Sequence, residues 1–403
     1  MTRDLLIMAI SLFTWGLGEG MFYYFQSLYL EEWGADPLQI GAILGGMGVA
    51  MAVAQAPAGW LGDRIGSRPV MWSSWILGTL AAAVMAMAGS LTLFVVGMLL
   101  YGLTSFVIAP MNSYITSVRG TWSVQRALTF VGAVYHFGAV IGPFLGGLLG
   151  ERYGLGSIFG FSAGIFVLST LIVLAARRPP VEAHNEIQAQ QPNLLKNPRF
   201  AGLLVMIVIT MFALFLGQPL GANYLKNFHQ LDLQQIGMLG SANSLGNAVL
   251  LLAFGFLSAP TGFIIGQALV GLFTLLMWQG NQIGVFWLAY FFFGGYRLAR
   301  SMILAYTRTL VKPSEIGFAY GLVETGNAIA CILAPPIAGL LYASSPRLVY
   351  STSLTLIVVV ILVNLALLPR KRQISSPAAA EAETTGPAAS DQRSAPAELE
   401  GAD

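Results

Sequence analysis

The strongest constraint on this chain is a series of twelve apolar runs, each about 20 residues long. They span approximately 5–29, 38–61, 70–90, 91–115, 127–149, 155–176, 200–225, 234–258, 262–279, 283–306, 317–342 and 347–369. At ~1.5 Å of rise per residue, such runs are long enough as helices to cross a hydrocarbon layer ~30 Å thick. A backbone in lipid must satisfy its own hydrogen bonds, which leaves helices as the structure for runs of this kind. Charged residues make up only 9 % of the 403-residue chain, against roughly 25 % in an average soluble domain. So few charges cannot cover a soluble protein of this length, so lipid is the outer solvent. The sequence therefore predicts an all-α membrane protein with twelve transmembrane helices. Disorder over most of the length, coiled coil and nucleic-acid binding are excluded by the same numbers.

The first run follows only Arg3 and Asp4, has no small-residue cleavage site after it, and is expected to be a retained helix. Two polar stretches divide the rest. Residues 1–176 form a first six-helix half, 177–199 a cytoplasmic linker, and 200–369 a second six-helix half. Residues 370–403, rich in Ala, Pro, Ser, Thr and Glu, read as a disordered cytoplasmic tail. Charge placement sets the orientation. With both termini inside, the inner loops hold Arg3, Arg64, Arg68, Arg119, Arg126, Arg177, Arg178, Lys196, Arg199, Arg308, Lys312 and the cluster Arg370, Lys371, Arg372. The outer loops then hold only Arg152, Lys226 and Arg347, and the first carries Glu31, Glu32 and Asp36 with no base. The positive-inside rule thus predicts cytoplasmic termini in a multi-pass cell-membrane protein.

The halves also repeat one another. Ile40-Gly41 opens the second run and Ile236-Gly237 the eighth, 196 positions later. Gly59-x-Leu61-Gly62-Asp63-Arg64-x-Gly66 returns at that offset as Gly255-x-Leu257-Ser258-Ala259-Pro260-x-Gly262. Pro143-x-x-Gly146 in the fifth run is echoed by Pro336-x-x-Gly339 in the eleventh. Parallel six-helix repeats about an axis normal to the membrane are a secondary-transporter arrangement.

The segment Gly59-Trp-Leu-Gly62-Asp63-Arg64-Ile-Gly66-Ser-Arg68, read as a short loop between helices two and three, resembles the signature loop of the major facilitator superfamily. The resemblance covers about residues 3–370. It implies alternating access: two six-helix, pseudo-symmetric halves rocking around a midplane site, with this loop latching them on the cytoplasmic side. Only the first copy is charged, so the latch is expected to be one-sided. The glycines suit a tight reversal, and Arg64 and Arg68 suit lipid phosphate or helix C-termini. Gly138-x-x-x-Gly142-Pro143-x-x-Gly146-Gly147 resembles the helix-five motif of drug/proton antiporters, with Thr129 where that motif has a further glycine. The same spacing serves plain helix packing. Met98 stands where proton-coupled exporters commonly carry an arginine in helix four.

Within the apolar runs the strongly ionisable side chains are Glu19, Arg297, Arg300 and Glu324, with His136 a weaker one. Intramembrane charges need partners or a wet cavity. Arg297, Arg300 and Glu324 lie at matched depths in one half, which predicts an Arg–Glu pair and one arginine facing the cavity. Glu19 has no base at its depth in its own half, so it is the expected proton- or cation-responsive group. Helical spacing adds Trp15, Tyr23 and Gln26 to the Glu19 stripe, and Tyr320 and Asn327 to that of Glu324. Asn243, Asn247, Gln218 and His136 complete the expected substrate cavity. The single Cys331 and three separated histidines give no metal site, and no cofactor is expected.

The leading expectation is ion- or proton-coupled efflux of small amphipathic compounds by a protein acting as a monomer in the bilayer. Uptake or facilitated diffusion of a polar nutrient is the alternative. A membrane-embedded enzyme or sensor is remote, because no nucleophile elbow or phosphate-binding loop is present.

Overall fold

The helices start where the sequence supplies caps. Thr2 accepts from Leu5 N (3.2 Å), Ser90 and Ser123 cap in the same way, and Asp232 with Gln235 forms a reciprocal capping box. Proline opens others, where its missing N–H leaves nothing unsatisfied. The computed structural model describes residues 2–177, 198–312 and 315–367, with the side chains at 56–63, 109, 199 and 317 outside that description. Most of the 177–199 linker and the whole 370–403 tail therefore lie outside the described residues.

In chain order the helices are α1 (Arg3–Tyr23), α2 (Gln26–Glu32), α3 (Pro37–Ile65), α4 (Ser67–Ala86), α5 (Leu91–Leu103), α6 (Ile108–Val118), α7 (Val124–Tyr153) and α8 (Leu155–Leu174). The second half follows as α9 (Pro198–Phe215), α10 (Gly221–His229), α11 (Leu233–Phe254), α12 (Ala259–Gln279), α13 (Ile283–Phe293), α14 (Gly295–Arg308), α15 (Ile316–Ser344) and α16 (Pro346–Leu367). Among the described residues, nine of these are each long and apolar enough to cross a membrane. A tenth span is the bent pair α5–α6. The pairs α9–α10 and α13–α14 occupy the two remaining apolar runs. The twelve-span, all-helical architecture is the one read from the sequence.

What the runs do not reveal is that spans one, four, seven and ten are broken. The breaks fall at Tyr24–Phe25, at a 3₁₀ turn over Thr104–Val107, at Leu216–Leu220 and at Gly294. Pro110, Gly217, Pro219 and Gly294 account for three of them: proline removes a donor and glycine lets another backbone come close. A Cβ on Gly294 would stand 2.6 Å from Asn247 N of α11. Each broken span in one half has its counterpart in the other.

The internal repeat is visible in the contacts. A Cβ on Gly41 (α3) would run into the Pro335 carbonyl of α15, and one on Gly237 (α11) into the Pro143 carbonyl of α7. Gly339 stands in the same way against Pro37, and Gly147 against Leu233. These are equivalent pairs, so α3–α15 and α7–α11 are two copies of one inter-half seam. Across the pseudo-axis, Asn223 Nδ2 donates to Ser27 O (3.2 Å), a residue exactly one repeat away. All of these contacts sit toward the end of the bundle distal to the N-terminus. The terminal end is marked by Thr2 on Val118 O (2.5 Å) and by Arg177 N on Asp4 Oδ1 (3.0 Å).

The signature segment differs from its sequence reading. Helix α3 continues to Ile65 and α4 begins at Ser67, so the expected loop shrinks to Gly66, at φ 88°. That left-handed conformation requires glycine or a strained substitute. Gly59, Gly62 and Asp63 lie on the last turns of α3, with their side chains outside the described ones. Arg68 Nε donates to Ala176 O (2.8 Å) at the end of α8, and its guanidinium lies 3.8 Å from the centre of the Trp72 ring.

Candidate functional site

Between the halves lies a cavity of about 630 Å³. The four broken spans supply much of its wall: Glu19 and Tyr23 from α1, Gln26 from α2, Asn112 from α6, Gln218 at the α9–α10 break, and Arg297 and Arg300 from α14. Interrupted helices are tolerated at membrane depth where they line such a space, because water and neighbouring groups satisfy the freed backbone. Beyond Gln26 the distal end is closed by a lock between α2 and α10. Glu31 accepts from Asn223 Nδ2 at Oε2 and from Asn227 Nδ2 at Oε1 (2.6 Å). Glu31 and Asn227 are again one repeat apart. In the same region His229 packs against Phe286, and burial with the Arg347 charge pushes its imidazole below the ordinary value. Toward the terminal end the lining continues through Gln55, Ser105 and Ile115.

One wall belongs to the first half. Trp15 lies flat on Phe166, with ring centres 4.3 Å apart, and Tyr101 stacks on the same ring. Trp15 is 9 % exposed, so its apolar face packs the core while its edge reaches the cavity. One turn along, Glu19 accepts at Oε2 from the Tyr135 hydroxyl of α7 (2.7 Å). Among the described cavity-lining residues of its own half, none is a lysine or arginine. Arg297, from the opposite half, lines the same cavity. His136 also faces the cavity, beside Tyr135.

The other wall carries the paired charges. Arg300 binds Glu324 in bidentate fashion, with Nε on Oε1 (3.3 Å) and Nη2 on Oε2. Below Glu324 on the α15 stripe, Asn327 Oδ1 accepts from the Tyr296 hydroxyl (2.7 Å). Arg297 lines the cavity exposed, and among the described residues no hydrogen bond or ion pair ties its guanidinium to another side chain. Thus, of the three groups at matched depth, Arg300 takes the carboxylate and Arg297 is left over.

The pair is only partly buried, with side chains 43 % and 31 % exposed. Glu324→Gln is therefore expected to lower stability by about 2 kcal/mol, less than the ~3–5 kcal/mol of a fully buried pair. Adding Arg300→Gln should restore part of that loss in a thermal-unfolding measurement. Strictly additive losses around the double-mutant cycle would show that the two do not act as a pair.

Three expected cavity residues are elsewhere. Asn243 donates to the Tyr24 hydroxyl (2.8 Å), which ties α11 to the break in span one. Asn247, one turn on, lies where the Gly294 break presses on α11. Tyr320 is a turn nearer the terminal end than the part of α15 that lines the cavity, half-buried and outside the lining. Helical spacing pointed to a face for each stripe, but not to how far along its helix the cavity extends or which neighbour a stripe meets. Conversely Tyr135, Tyr101, Tyr296 and the Glu31–Asn227 lock were missed. Tyrosines inside apolar runs look like packing residues, and Glu31 looks like a loop charge. The one available signal was the 196-residue offset, which pairs Glu31 with Asn227.

The helix-five glycines pack. A Cβ on Gly138, Gly142 or Gly146 would strike the carbonyl of Phe13, Leu17 or Met21, successive turns of α1. Gly147 faces the other way, onto α11.

Comparison with known proteins places this architecture. Residues 8–229 and 200–398 match the family model described as Major Facilitator Superfamily. A relative named as an uncharacterized MFS-type transporter of Methanocaldococcus jannaschii is 24 % identical over 286 residues, covering 68 % of this chain and 72 % of that protein. The quinolone resistance protein NorA of Staphylococcus aureus is 20 % identical over 354 residues, covering 85 % and 90 %. Among solved structures, that of the nucleoside transporter NupG superposes with a TM-score of 0.80 at 15 % identity, covering 92 % of this chain and 100 % of that one.

Proposed function

The chain belongs to the major facilitator superfamily, and from that premise we propose that it exports small amphipathic compounds in exchange for protons, with both termini in the cytoplasm of a cell-membrane protein. The observation that carries this reading is the shape of the central cavity. It is shut at the distal end by the Glu31–Asn223–Asn227 lock and the two glycine seams, and lined onward to Ile115 at the terminal end. With the termini inside, the conformation is one that loads from the cytoplasm. Aromatic groups on both walls suit apolar bodies: Trp15 and Tyr101 on one side, Phe215 and Tyr296 on the other. Glu19 is the group that exchanges protons. The similarity to NorA, a quinolone resistance protein, supports export.

The test is dye uptake into everted membrane vesicles with an acidic lumen. Vesicles carrying the protein should accumulate a lipophilic cationic dye such as ethidium, and collapse of the pH gradient should release it. Dye uptake no greater than in vesicles lacking the protein would overturn the reading. The second reading, facilitated passage of a polar solute, is favoured by the Gln26 amide. That side chain is 3 % exposed at the cavity wall, and its Nε2 has no partner among the described residues. It would show as gradient-independent counterflow of a sugar or nucleoside.

A further inference from the structure

Among the described residues lining the cavity, the acidic and basic side chains other than His136 are Glu19, Arg297, Arg300 and Glu324. Arg300 and Glu324 neutralise each other within one half and need no ligand. The remaining two are of opposite sign and stand on different halves. Glu19 has a neutral hydroxyl partner on one oxygen. Arg297 is exposed and lines the cavity, with no hydrogen-bonded or ion-paired group among the described residues, although a guanidinium carries five donors. A charge kept at membrane depth without a partner marks a place where a ligand or ion completes the site. The two line one cavity from opposite walls, and among the described residues no salt bridge joins them.

A molecule with a single charge would satisfy one of these groups and leave the other facing it with the wrong sign or with none. A molecule bearing an ammonium and a carboxylate would satisfy both and so bridge the halves. The aromatic wall of Trp15 and Tyr101 beside Glu19 would receive its apolar body. Resting on the export reading above, we propose that the preferred substrates are zwitterions with an aromatic or aliphatic body, the cationic group held at Glu19 and the anionic group at Arg297.

The test uses one body in three charge states: phenylalanyl-phenylalanine, its C-terminal amide, which is only cationic, and its N-acetyl derivative, which is only anionic. Binding to the purified full-length protein is read by thermal shift, since stabilisation follows ligand concentration over Kd. The free dipeptide should bind about tenfold more tightly than either derivative. Glu19→Gln should abolish the advantage of the dipeptide over its N-acetyl form, and Arg297→Gln its advantage over the amide. Equal binding of all three forms by the wild-type protein, or of none, overturns the assignment, and this comparison needs no variant to fold. Unchanged ratios in both variants overturn it as well. Ethidium transport in the same preparation separates the two proposals. Dye transport without charge discrimination defeats the zwitterion assignment alone, and discrimination without dye transport defeats the export reading alone.

Discussion

Glu19→Gln is expected to abolish gradient-driven accumulation, reducing it by at least about tenfold, while substrate counterflow continues. The substitution is close to isosteric. Tyr135 donates to Glu19 Oε2, and a glutamine carbonyl oxygen accepts the same bond. Shape and the α1–α7 hydrogen bond are thereby kept, and only titration is lost. The Tyr135 hydroxyl from α7 is bonded to Glu19, and Tyr23 from its own helix, Tyr101 from α5, His136 from α7 and Arg297 from α14 line the same cavity. Tyrosine and arginine ordinarily titrate far from neutral pH, so the groups here able to exchange a proton are Glu19 and His136, and Glu19→Gln removes the first while leaving the second. Counterflow exchanges substrate for substrate and requires only that the loaded carrier change sides, so it should survive at substrate concentrations raised about tenfold to offset the weaker binding. Full accumulation by Glu19→Gln under an imposed pH gradient would exclude Glu19 as the coupling group. Loss of counterflow together with accumulation would instead identify Glu19 as indispensable to substrate binding. The pH profile separates a further case: counterflow that varies with pH in wild type should flatten in the variant.

The architecture was legible in the sequence because membrane insertion writes it there in a coarse code. Twenty apolar residues mean a span, and a 196-residue offset means duplication. None of those signals depends on which neighbour a side chain meets. The site was only half legible for the same reason. Intramembrane charges are scarce enough that Glu19, Arg297, Arg300 and Glu324 could be named from composition alone, and all four line the cavity. Matched depth pointed to an Arg–Glu pair, but the Tyr135 hydroxyl on Glu19 could not be named, because Tyr135 is an ordinary member of an apolar run and is distinguished only by three-dimensional placement. Asn243 illustrates the converse. Its position on a polar stripe is as expected, but the stripe faces Tyr24 rather than the cavity. The breaks at Gly217–Pro219 and Gly294 had residue signals, yet Pro and Gly are also found in unbroken spans here: Pro143 lies inside α7, and Pro335 and Pro336 inside α15.

Gly142→Ala should be among the most destabilising of single-methyl additions to this chain, while Gly41→Ala should be far milder in stability and more visible in conformation. Both glycines lie under a backbone carbonyl of a crossing helix, Gly142 under Leu17 and Gly41 under Pro335. The difference is which contact each one makes. Gly142 belongs to the α1–α7 seam inside the first half, with Gly20 Cα and Met21 N each 2.9 Å from the added methyl carbon. Those atoms are backbone, so neither rotamer change nor a flexible side chain can relieve the clash. The two helices must separate, and Gly138 and Gly146, one turn away on either side, lose their close contact with them. A loss of about 3 kcal/mol, at the upper end for overpacking, is expected in thermal or denaturant unfolding. Gly41 belongs to the α3–α15 seam between halves. In a carrier that alternates, that seam parts in the opposite conformation, so the protein escapes the clash by populating the state in which the distal end is open. Gly41→Ala should therefore keep most of its stability and increase labelling of a cysteine placed at Ser27 by a membrane-impermeant reagent added from the distal side. Gly164→Ala supplies the baseline, since a methyl there meets nothing within 4 Å. If Gly142→Ala unfolds no more readily than Gly164→Ala, the seam is not holding the first half together. If Gly41→Ala destabilises as much as Gly142→Ala without changing the labelling, the α3–α15 contact is a fixed packing surface and not a gate.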